Sequence, residues 1–137
     1  MKKGFTLALF LCFILVAYSQ NRFWVAAASG NWNDPANWST TSGGAGGASV
    51  PGAGNTAIFN NLGLGTCILN VSPNLSALTV NATFTGIIDL PGNRTLTTTG
   101  ANTFAGGTVN SGTGATLSLN ASGVTTFSGT QFNVPVN

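Results

Sequence analysis

Charge is what this sequence has least of. Among 137 residues there are four Lys or Arg and two acidic side chains, both Asp; histidine and glutamate do not occur. Without histidine, the usual general acid and base near neutral pH is missing. Glycoside hydrolysis, which ordinarily needs two carboxylates flanking one bond, is left with Asp34 and Asp89. Each stands beside turn residues, Pro35 in one case and Leu90-Pro91-Gly92 in the other, so both read as turn formers rather than as a dyad. The many Ser and Thr hydroxyls have no neighbouring base to activate them. Asn31, Asn33, Asp34 and Asn37 offer oxygen ligands for calcium, but one carboxylate is thin charge for that ion and the spacing matches no calcium loop. No catalytic residue, metal or cofactor is expected, and no enzymatic activity.

Basic residues are as scarce, and half of them open the chain. Lys2 and Lys3, an apolar run over 5–17 and the small residues of Ala17-Tyr18-Ser19 predict a secretory signal peptide over 1–19, cleaved between Ser19 and Gln20. The run is shorter than the roughly 20 apolar residues of a membrane span, so no transmembrane segment is expected after cleavage. Cys12 raises a lipoprotein reading, which the bulky Leu11 before it disfavours. After processing, Arg22 and Arg94 balance Asp34 and Asp89, which leaves no basic footprint for nucleic acid. Solubility then rests on Asn, Ser and Thr, a composition suited to a secreted or cell-surface β-structure.

Cysteine and helix signals are also missing. Only Cys67 survives processing, so no intramolecular disulfide forms, and its alternation with Leu69 and Val71 predicts a buried, inert thiol. No window beyond Ala17 carries a period of 3.6 residues, and essentially no helix is expected.

What the chain does have is repetition. TLTTTGANTFAGGTVN begins at Thr95 and TLSLNASGVTTFSGTQFN at Thr116, with a looser copy, ALTVNATFTGIIDL, from Ala77. Self-similarity at such a period marks a solenoid, in which each unit buries its apolar face by stacking on the next. Strands are predicted at 56–60, 66–71, 77–81, 83–90, 95–99, 103–110, 116–120 and 125–134. Aligning the copies places Leu78, Leu96 and Leu117 in one core column and Phe84, Phe104 and Phe127 in a second. Ile88, Val109 and Phe132 form a third. Thr79, Thr97 and Ser118 alternate with the Leu column and face outward, and Gly86, Gly106 and Gly129 turn corners. The fold class is all-β, a parallel, right-handed β-helix (solenoid); an antiparallel β-sandwich is the alternative.

Residues 20–60 differ from the rest. They hold Trp24, Trp32 and Trp38, a turn-rich Asn31-Trp32-Asn33-Asp34-Pro35-Ala36-Asn37-Trp38 and a Gly-rich loop. This segment is expected to cap the solenoid, and 61–137 to form its rungs, ending inside an unfinished one. Such a rung exposes a strand edge open to self-association, with Pro135 its only protection. Trp32 and Trp38 admit two readings: plugs for the N-terminal end, or exposed faces that stack on sugars.

The run Phe23-Trp24-Val25, Ser29-Gly30-Asn31-Trp32-Asn33-Asp34-Pro35-Ala36-Asn37-Trp38-Ser39, Val50-Pro51 and Ala57-Ile58-Phe59-Asn60 resembles the N-terminal opening of large secreted bacterial β-helical, adhesin-like surface proteins, many of them type IX secretion substrates. Phe84-Thr85-Gly86 and Phe104-Ala105-Gly106-Gly107-Thr108 look like that group's rung repeats. Such proteins commonly continue through many more rungs to a sorting domain, so the resemblance implies a fragment or a short member. It also implies a secreted structural or adhesive protein without chemistry of its own, with glycans or cell-surface and matrix polymers as partners. A carbohydrate-binding module using the tryptophans is the alternative, and an ice-binding Thr face a remote one. Sequons at Asn37, Asn70, Asn74, Asn81, Asn93 and Asn120 matter only in a eukaryotic host.

Overall fold

The computed structural model of the chain describes residues 19–120 and 122–133. All of the expected signal peptide except Ser19, and the expected strand end at Val134 with Pro135 after it, lie outside those residues. Apart from one 3-10 turn at Pro35–Asn37, the regular structure is β.

The strands wind in coils. The first coil carries β1 (Gln20–Trp24), β2 (Gly30–Asn31) and β3 (Trp38–Ser39); the second β4 (Asn55–Phe59), β5 (Cys67–Ile68) and β6 (Asn74–Leu75). The third has β7 (Ala77–Val80), β8 (Ile87–Leu90) and β9 (Thr95–Thr98), the fourth β10 (Asn102–Phe104), β11 (Thr108–Ser111) and β12 (Thr116–Leu119), and the last β13 (Thr125–Phe127) and β14 (Gln131–Asn133). Like strands of successive coils pair in parallel to give three sheets, ordered β13-β10-β7-β4-β1-β3, β14-β11-β8-β5-β2 and β12-β9-β6. This is the expected β-solenoid, with three complete turns between a partial coil at each end.

Period-two alternation explains the interior. In β7, β8 and β9 every second residue is buried, namely Leu78, Val80, Ile88, Leu90, Leu96 and Thr98. The pairing settles the columns. Cys67, Ile88, Val109 and Phe132 lie in one line, as the copies suggested for its last three members. Leu96 and Leu117 pair as expected, but Leu78 is not above them: it pairs with Ala57 in a different sheet. Phe104 and Phe127 pair, with rings stacked at 5.2 Å and 6° between planes, but the residue below Phe104 is Val80, and below that Phe59. Phe84 sits in the corner after β7 and packs its buried ring on Phe59 at 5.2 Å.

Corners also divide strands that the sequence joins. The expected strands 103–110 and 125–134 each break at the small residues after Phe, and the expected strand 83–90 begins only after them, at Ile87. Gly86, Gly106 and Gly129 have no left-handed dihedral; the close approach of the coil beneath is what requires them. A Cβ on Gly106 would lie 2.7 Å from the Phe84 carbonyl oxygen and closer still to that of Asn81. Left-handed dihedrals occur at Gly107 (φ 64°), next to Gly106, and at a second corner, at Asn93 (φ 62°) and, one coil up in the same register, Gly114 (φ 78°). Asn tolerates this conformation and Gly meets no penalty in it.

The segment expected only to cap does two things. Its β1 and β2 pair in parallel with β4 and β5 and so belong to the stack. Covering falls to residues 32–54, whose β3 lies antiparallel on the outer edge of β1. The opposite end carries β12, β13 and β14 with no coil above them among the described residues, and Val124, Phe127 and Phe132 are exposed there.

Candidate functional surface

Trp32 and Trp38 are fully buried, as is Trp24. Trp38 makes edge contacts with Trp24 at 5.2 Å and with Trp32 at 4.7 Å, and all three pack around Phe59. Trp24 Nε1 donates to the Gly65 carbonyl (3.0 Å) and Trp38 Nε1 to that of Trp32 (2.7 Å); Trp32 Nε1 has no protein acceptor among the described residues. Neither proposed sugar platform presents a face to solvent. The chain beyond Trp38 folds against this cluster, with Gly47 N donating to the Pro35 carbonyl and Ala48 N to that of Trp38.

The carboxylates are dispersed among structural tasks. Asp34 Oδ1 accepts from Ala36 N at 2.9 Å and caps the 3-10 turn, the role its neighbours suggested. Asp89 is no turn former: it lies within β8, on the outer face, between Ile68 and Asn110 in register. Among the described residues no three His, Cys, Asp or Glu side chains come together as metal ligands. Cys67 is buried, and that burial pushes its thiol well above the ordinary range.

The outside of the coils carries side chains in regular columns. On the first sheet, Ile58, Thr79, Thr103 and Thr126 form one outward column. On the second, Asp89, Asn110 and Asn133 form another, and Asn133 Nδ2 donates to Asn110 Oδ1 at 3.0 Å. Near the capped end, Asn70 and Asn33 repeat such an amide contact at 2.6 Å. The third sheet shows two hydroxyl columns, Thr95 with Thr116 and Thr97 with Ser118. Parallel pairing sets rows of this kind about 4.8 Å apart.

Thr79, expected to share a column with Thr97 and Ser118, therefore stands on another sheet. Its true neighbours are Thr103 and Thr126; the alignment of the copies pairs these two and Asn110 with Asn133 correctly, but sets Thr79 in the wrong sheet along with Leu78. Outward positions follow from alternation once the strand starts are known. No protein-family model matches this chain, and neither a curated protein nor a solved structure does so. No helix of the described residues is long and apolar enough to cross a membrane.

Proposed function

We propose that the chain is an exported structural or adhesive module that displays ordered rows of uncharged hydrogen-bonding groups, without bond-making chemistry of its own. One observation carries this reading: the outward columns on all three sheets are dominated by Thr, Asn and Ser held in register by parallel pairing. A single exposed hydrogen bond contributes little, about 0.5–1.5 kcal/mol at best, so a surface of this kind favours a partner that repeats. A neutral glycan or a cell-surface or matrix polymer supplies hydroxyls and amides at regular intervals along its length. The signal-like N-terminus and the resemblance to secreted bacterial β-helical surface proteins support export to the cell exterior.

The test is binding of the protein to an array of neutral polysaccharides. Replacing Thr79, Thr103 and Thr126 together by Val keeps their shape and removes their hydroxyls. Loss of at least about tenfold in affinity, with coil stability unchanged, is expected from the loss of three such bonds. Binding to no polymer, or binding indifferent to these substitutions and to equivalent ones at Asn110 and Asn133, would sink the reading.

A further inference from the structure

Arg22 is an oddity in so neutral a chain: it lies in β1 with 8% of its surface exposed. Its hydrogen bonds go to uncharged oxygens. Nε donates to Ser49 O (3.1 Å) and Ser49 Oγ (3.0 Å), Nη1 to Asn21 O (2.9 Å), and Nη2 to Ser49 Oγ (2.8 Å) and Gln20 Oε1 (3.1 Å). Gln20 itself is exposed at the start of β1, with its backbone N donating to Gly54 O at 3.1 Å.

We infer that Gln20 is a modification site: once the bond before it is cut, it closes to a neutral pyroglutamyl lactam. This rests on the export reading above, with cleavage between Ser19 and Gln20. In the closure the uncharged α-amine attacks Cδ of its own side chain. The N–Cδ bond forms and the Cδ–Nε2 bond breaks. Nitrogen Nε2 leaves as ammonia, taking up a proton that the amine gives up, and nothing is oxidised or reduced. During addition, negative charge collects on Oε1, the atom to which Arg22 Nη2 donates. A donor already in place at a developing oxyanion lowers the barrier to such a step.

The product also suits the fold better than the starting material does. A free α-ammonium at residue 20 would add positive charge two positions from a guanidinium whose partners are all neutral. The lactam carries no charge, and it keeps one N–H to donate to Gly54 O. Because the sequence has no lysine after Lys3, closure leaves residues 20–137 without any primary amine.

The experiment is mass spectrometry of the N-terminal peptide of the exported protein, combined with an amine-reactive label on the intact chain. The expected result is a first residue at position 20, a mass lower than linear Gln by one ammonia, and no label. A chain starting at Gln20 with its glutamine intact and its amine labelled would overturn the closure while leaving the cleavage reading standing. A start at any other residue would overturn both. In chain freshly released at residue 20, Arg22→Gln is expected to slow ammonia loss about tenfold, less than for a buried oxyanion donor. Equal rates would overturn the role given to Arg22.

Discussion

Asn102 shows how much one side chain can join. It is buried at the start of β10, and its Oδ1 accepts from Leu78 N of the coil below at 2.9 Å. Its Nδ2 donates to Thr98 Oγ1 (2.9 Å), to Gly100 O (3.0 Å) and to Thr125 Oγ1 of the coil above (3.2 Å). Asn102→Ala leaves the Leu78 N–H inside without that acceptor, and a loss of about 1–3 kcal/mol is expected in urea unfolding. Trp38→Ala removes the ring against which Trp24, Trp32 and Phe59 pack. There the expected loss is larger, about 3–5 kcal/mol, and the fold rather than a sugar affinity is what should suffer. Cys67 gives a pH signature. Burial raises its folded pKa above the unfolded one, so its contribution to stability is complete below the ordinary thiol pKa and fades as alkali approaches the raised value. A thiol reagent at mildly alkaline pH should therefore leave the native protein unmodified and react once it is unfolded.

At the scale of the strand, the sequence announces alternation clearly and position poorly. The line Ile88, Val109, Phe132 could be read from the copies because these residues follow corners of similar make-up. Leu78 falls in a different column from Leu96, because Ala77-Leu78-Thr79-Val80 and Thr95-Leu96-Thr97-Thr98 carry the same apolar/Thr alternation although they lie on different sheets of one coil. A full coil runs from Thr79 to Thr103, farther than the distance from Leu78 to Leu96. Phe84 shares the Thr-Phe-x-Gly context of the ladder residues, yet it fills a wider corner from the side. The burial of Trp32 and Trp38 was one of two readings of their turn; what decides it is the antiparallel return of β3, a tertiary event with no local signal. Corners supply a sharp test. Gly106→Ala should cost more than about 1 kcal/mol, because the new methyl meets backbone carbonyls that cannot step aside. Gly52→Ala, where nothing lies within 4 Å, should instead gain about 0.4–1 kcal/mol through a less flexible unfolded chain. Thermal unfolding of the pair separates close approach from simple chain stiffness.

Across the whole molecule, each coil touches only its neighbours, so stability is graded along the stack. The first coils hold the Trp cluster with Phe59 and Phe84, whereas Phe127 and Phe132 of the last are 58% and 40% exposed. Amide hydrogen exchange should follow: slowest in β4 and β7, fastest in β13 and β14, with the fourth coil between. Uniform protection from β4 to β14 would mean that the stack opens as one unit. A charge at the exposed edge, Thr126→Lys, should leave β4 and β7 protection untouched, since no side chain of those strands pairs with it.

The two ends also give the molecule a direction. Closure of the lower end uses only residues before 60, and β3 runs antiparallel on β1, so the edge of β1 is already taken where a preceding parallel coil would pair. Further coils stack on the opposite end, in the order of the chain. A polypeptide threaded through a pore with its N-terminus leading would find a finished platform waiting for each new turn. On the export proposed above, each completed coil would then make the next step of assembly local.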